Sequence, residues 1–89
     1  MTTKYIVTCF SPPTSLEIKS GQTVEVEGWK SGNNIKAKSI INVTKKGPTC
    51  NCGQVPKALF ADYAKVKGKA SNVQISSDPA FVQFDLEET

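Results

Sequence analysis

Apolar and polar positions alternate over much of the chain, and the alternation predicts short β-strands. Tyr5-Ile6-Val7-Thr8-Cys9-Phe10 is rich in β-branched and aromatic residues, so residues 4–10 read as a strand. Ser11-Pro12-Pro13-Thr14-Ser15 breaks it, and Leu16-Glu17-Ile18 predicts a second, very short strand. Thr23-Val24-Glu25-Val26-Glu27-Gly28-Trp29 gives the clearest half-buried strand, with Val24 and Val26 on one face and Glu25 and Glu27 on the other. Ser31-Gly32-Asn33-Asn34 follows as a hairpin turn, because Gly and Asn tolerate positive φ. Residues 35–43 return as a strand with Ala37 inward and Lys36 and Lys38 outward. The adjacent Ile40 and Ile41 require one of them to face out or a bulge to shift the register. Further on, residues 73–75 read as a strand, Ser76-Ser77-Asp78-Pro79 as a turn, and residues 81–86 as a strand with Val82, Phe84 and Leu86 on one side. The last three residues read as a frayed end.

The middle of the chain admits two readings. Pro56 suits the first turn of a helix, Val55, Leu59, Phe60, Tyr63 and Val66 recur at helical spacing, and Gly68 suits the residue after its end, giving a helix over 56–67. Against this, Val66-Lys67-Gly68-Lys69-Ala70-Ser71-Asn72 shares the pattern of Val26-Glu27-Gly28-Trp29-Lys30-Ser31-Gly32-Asn33, a strand running into a hairpin. On that reading residues 63–70 form a strand and the helix shrinks to 56–62; this mixed version is preferred. The sum is a mainly β chain with at most one short helix, a single small domain over residues 1–89, built as a twisted five- to seven-stranded barrel or sandwich. The strand spacing, Gly28 and Gly68 within strands, and a single helix between later strands resemble the oligonucleotide-binding barrel in order of elements.

Composition narrows the chemistry. The 89 residues contain no His and no Arg; all eleven basic side chains are Lys. The commonest general base and zinc ligand are thus missing, and so is the bidentate guanidinium fork that reads guanine. Phosphate-cradling glycine motifs are absent too, and Glu25 and Glu27 are explained by a solvated strand face, so the chain reads as not an enzyme. Three cysteines, Cys9, Cys50 and Cys52, are an odd count, which argues against a disulfide framework and suits a reducing, cytoplasmic setting. Cys9 reads as a small buried residue and Cys50-Asn51-Cys52 as a loop with two free thiols. A metal held by Cys9, Cys50 and Cys52 is the sharper alternative, short of the four ligands structural zinc wants. Otherwise no cofactor is implied. The N-terminal apolar run is too short for a signal-peptide core, and no stretch reaches the ~20 apolar residues of a membrane-spanning helix.

Charge is distributed unevenly. Residues 30–69 hold nine Lys against Asp62 alone, whereas residues 70–89 hold four acids and no Lys. This basic centre predicts a polyanion partner, with Trp29, Lys30, Lys36, Lys38, Lys45, Lys46, Lys65, Lys67 and Lys69 as the candidate surface and Trp29, with Phe10 or Phe60, as stacking platforms. Lys without Arg suits phosphate contact rather than base reading, so the expected ligand is single-stranded nucleic acid bound with low sequence specificity. The rival expectation is a protein-interaction module, such as a phage-type inhibitor or a small subunit of a larger complex, pairing through an exposed edge at residues 81–86.

Overall fold

The computed structural model describes residues 3–13, 16–53, 62–77 and 80–88. Among these every regular element is a strand: β1 (Lys4–Phe10), β2 (Thr23–Ser31), β3 (Asn34–Asn42), β4 (Cys50–Asn51), β5 (Asp62–Ser77) and β6 (Ala80–Glu88). Period-two burial follows the sequence pattern closely. Tyr5, Val7 and Cys9 point inward from β1, Val24 and Val26 from β2, Ile35 and Ala37 from β3, and Val82, Phe84 and Leu86 from β6.

Five strands close on themselves. β1 pairs with β6, β6 with β5, β5 with β2 and β2 with β3, all antiparallel, and β3 returns to β1 through a parallel seam. Closure turns every inward face toward one cluster, in which Val7, Cys9, Val24, Val26, Ile40, Ala70 and Leu86 are fully excluded from solvent. The parallel seam is short, joining Ile6, Val7 and Thr8 to Asn34, Ile35 and Lys36. Beyond it the two strands part, and residues 50–53 fill the gap. Cys50 and Asn51 pair with Ile40 and Ser39, the Cys52 amide donates to the Lys38 carbonyl at 2.8 Å, and the Gly53 amide donates to the Phe10 carbonyl at 2.9 Å.

So small a barrel must bend its strands hard, and two glycines permit the bends. A Cβ on Gly28 would collide with the Lys36 carbonyl oxygen and lie 2.9 Å from Ala37 Cα; one on Gly68 would collide with the Glu87 carbonyl oxygen. Because the obstacles are backbone atoms, neither site can relax by a rotamer change. We therefore expect Gly28→Ala and Gly68→Ala each to cost about 2–3 kcal/mol, at the upper end of ordinary overpacking. Urea unfolding would show this; a midpoint equal to that of the parent chain would mean that the strands do not approach so closely.

Several expectations need correction. Residues 16–18 form no strand, although Ile18 is buried in the core and Leu16 packs against it. Of the two alternatives at Ile40-Ile41, the first holds, with Ile40 inward and Ile41 outward; the register shift falls instead at Lys38, where Gly28 faces Ala37 and Glu27 faces Ser39, leaving Lys38 with no residue opposite on β2. That extra residue changes the phase, so Ile40 and Asn42 point inward after Ile35 and Ala37. The likeness between residues 66–72 and 26–33 does not extend to a turn. β5 runs on through Asn72, which adopts φ 51° in a bulge between Ser71 and Gln74 and donates from its amide to Asp85 Oδ2 at 2.8 Å. Residues 73–75 are thus part of β5. The strand expected from residue 63 begins at Asp62; the helix expected before it, with Lys57 and Phe60, falls almost wholly outside the described residues. Residues 81–86 are no edge, since β6 lies between β1 and β5. Glu87 and Glu88 continue β6 rather than fray.

The cysteines are the largest departure. Cys9 and Cys52 form a disulfide with Cα atoms 5.5 Å apart, while Cys50 is buried outside that bond and its thiol donates to the Pro48 carbonyl at 3.6 Å. The loop with two free thiols is therefore not what forms. Nor do Cys9 and Cys52 present thiolates to a metal beside Cys50, since both sulfurs are spent in the bond. Spacing along the chain could not show this, because only barrel closure brings residue 52 to the end of β1.

Candidate nucleic-acid interface

The outward positions of neighbouring strands fall into rows across the barrel. One row is aromatic and cationic. Tyr63 on β5 lies opposite Trp29 on β2, and Trp29 lies opposite Lys36 on β3. Lys36 in turn lies opposite Thr8 on β1 and reaches over the next outward side chain of that strand, Phe10, with its ammonium 4.7 Å from the ring centroid. Phe10 faces Phe81 on β6. Each of the five barrel strands thus contributes one outward residue, Tyr63, Trp29, Lys36, Phe10 or Phe81, to a strip that winds around the barrel. The rings stay accessible: Tyr63 is 51% exposed, and Trp29, Phe10 and Phe81 are half-buried.

Local contacts hold the strip in place. Trp29 and Tyr63 meet edge to face, with centroids 5.3 Å apart and planes at 78°. The Tyr63 hydroxyl hydrogen-bonds to Glu27, and because that bond favours the neutral phenol the Tyr63 pKa rises; desolvation and the Glu27 charge act in the same direction. Glu27→Gln should accordingly bring the Tyr63 titration down toward the ordinary phenol range. Ultraviolet titration of phenolate absorbance in the parent chain, Tyr63→Phe and Glu27→Gln would check it, and unchanged titration in Glu27→Gln would remove Glu27 as the cause.

The nine residues expected to form one basic surface separate into groups. Trp29, Lys36 and Lys38 share the outer face around the strip, where Lys38 is exposed. Lys65, Lys67 and Lys69 form a column on β5, but Glu25 and Glu27 on β2 stand between it and β3. Lys67 faces Glu25, Lys65 faces Glu27 and bridges to Glu25 at 3.1 Å, and Lys69 faces Glu87 across β6. Cross-strand acids thus offset much of that column's charge. Lys30 sits at the barrel end, its ammonium 5.7 Å from the Tyr5 ring centroid. Lys45 and Lys46 belong to the turn after β3, at the opposite end from the 31–34 hairpin, and Lys45 is bound by the Glu17 carboxylate, which lowers the Glu17 pKa. No carboxylate among the described residues bridges to Lys36 or Lys38.

Sequence reasoning missed Tyr63 and Phe81 as strip members. Their signal was present in the alternation of β5 and β6, but the order of strands around the barrel was needed to bring them beside Trp29 and Phe10. A pocket of about 210 Å³ lined by Leu16, Glu17, Asn42, Lys45, Gly47, Pro48 and Cys50 is a weaker candidate. Its polar groups are already engaged: the Asn42 amide donates to the Glu17 carbonyl and to Gln22 Oε1, both at 2.8 Å, and Asn42 Oδ1 accepts from the Lys45 amide at 3.1 Å.

No protein-family model, no curated protein and no solved structure matches the chain. Among the described residues, no helix is long and apolar enough to cross a membrane.

Proposed function

We propose that this protein binds single-stranded nucleic acid without catalysis and with low sequence specificity. The strip of Tyr63, Trp29, Lys36, Phe10 and Phe81 carries the reading. Unpaired bases stack on exposed rings whatever their identity, and interleaved lysines neutralise phosphates without reading base edges. A duplex hides its base faces and gains only the charge contacts. Flanking the strip, Lys38 adds a second cation on the same strand.

The ring of seams supports the same reading. Entered at β5, the strands β5, β6, β1, β2 and β3 occupy the places of the first to fifth strands of an oligonucleotide-binding barrel, with the parallel seam between the third and fifth. Barrels of that class bind on the second and third strands and on the loops joining first to second and fourth to fifth. Here those are β6 and β1, which hold Phe81 and Phe10, and the 31–34 hairpin, whose strands hold Trp29 and Lys36.

Titration with single-stranded oligonucleotides, following Trp29 emission at several salt concentrations, tests the proposal. The expected result is quenching whose midpoint weakens steeply with salt, and much weaker binding of the matched duplex. Unchanged emission and mobility at low salt, or equal affinity for duplex, would reject it.

A further inference from the structure

Among the described residues, a long stretch of the β5 edge has no pairing partner. On the side facing β2, the pairing of β5 ends with Lys69, and the last backbone bonds there are those of Ala70 to Gly21 and Gln22. The other side of β5 stays paired to β6 out to Ser77. Among the described residues nothing pairs with the free side of residues 73–77. Ile75 within it is 74% exposed, the most exposed of the large apolar side chains described.

Strand edges are ordinarily protected by charge, proline or a covering element. This one holds no charged residue and no proline between Ala70 and Ser77. By contrast, the outward positions nearer the start of the same strand carry Lys65, Lys67 and Lys69. We infer that residues 73–77 of β5 form an antiparallel pairing edge for the same segment of a second copy of this chain. The inference is independent of the nucleic-acid reading.

Two features favour a second copy as the occupant. A two-fold axis normal to the sheet pairs residues whose numbers sum to an even value, so Val73 and Ile75 remain on one face with their counterparts. Apolar side chains then meet apolar or small ones, and Gln74 and Ser76 meet polar ones. Neutral residues face neutral residues throughout, which a chain of net charge +3 requires of a self-interface.

Sedimentation equilibrium across micromolar to millimolar protein, without nucleic acid, tests this edge. We expect the mass to rise from one chain to two. Ile75→Lys should weaken the association by about tenfold or more, because two ammonium groups would then meet near the axis. Ile75→Val should retain it. Ile75 is exposed, so the lysine variant keeps its far-ultraviolet spectrum and melting temperature, and a folded monomer is distinguishable from an unfolded one. A single-chain mass at all concentrations, including the case in which the edge serves a different protein, would overturn the inference. So would association that a folded Ile75→Lys variant leaves unchanged.

Discussion

Replacing Lys36 and Lys38 together by Glu is expected to abolish measurable oligonucleotide binding at moderate salt while leaving the barrel folded. Two features of these lysines set them apart. They share the outer face of β3 beside Trp29, and no described carboxylate bridges to either. Each phosphate contact on a single strand contributes about 0.7 to the slope of log affinity against log salt, so losing two should flatten that slope by about 1.4. Reversal adds repulsion to the lost attraction, and an affinity loss on the order of a hundredfold follows. The fold gives up little, since the Lys36 ammonium over Phe10 contributes only about 0.5–1 kcal/mol at an exposed site. Lys67→Glu with Lys69→Glu makes the same change in net charge further along β5 and should cost less than about tenfold, because Glu25 and Glu87 already offset those positions. Equal losses in the two double variants would mean that net charge, not the strip, governs binding. Trp29→Leu should separately cost about 1–3 kcal/mol of binding by removing one stacking face.

Removing the Cys9–Cys52 disulfide should produce the largest loss of stability of any simple change. The bond spans a sequence separation of 43 residues, and a loop of that size restricts the unfolded chain by about 4 kcal/mol in the chain-entropy treatment. A domain this small has roughly 5–15 kcal/mol in total, so most of its margin could disappear. Position adds to the effect. The bond ties residues 50–53 into the gap where β1 and β3 part, next to the Gly53 amide that satisfies the Phe10 carbonyl. Without it, the weakest seam of the ring depends on three residue pairs and two neighbouring backbone bonds. Thermal unfolding of Cys9→Ser/Cys52→Ser, or of the parent chain with reductant, is expected to show a melting temperature lower by roughly 15–30 °C. Cys50→Ala leaves the bond in place and should melt close to the parent chain. Coincident oxidised and reduced transitions would show that the seam does not depend on the disulfide.

Much of the fold was legible in local pattern. Alternation placed β1, β2, β3 and β6 within a residue or two, and Gly32, at φ 60°, confirms the hairpin between β2 and β3. Gly28 and Gly68 stood out as glycines inside strands, and the structure supplies the reason in backbone contacts. The candidate site was legible only in part. Trp29, Phe10, Lys36 and Lys38 were identified, whereas Tyr63 and Phe81 were not, and Lys30 and Lys45 proved to be engaged at the barrel end and by Glu17. Residues 16–18 show the limit from the other side. Ile18 is buried and Leu16 partly so, but alternation reports burial, and burial alone does not supply a pairing partner.

By itself, the amino-acid sequence determined the β character of this protein, the inward faces of its strands, the hairpin at residues 31–34, and a basic composition built from lysine alone. These follow from side-chain period, turn conformation and composition, which act over a few residues. Tertiary structure decided the parallel β1–β3 seam, the pairing of Cys9 with Cys52, the acids that stand between the two lysine columns, and the stretch of β5 that no described residue covers. Each of these depends on which strands become neighbours when the ring closes, and closure is set by the joint burial of one core rather than by any local stretch of chain.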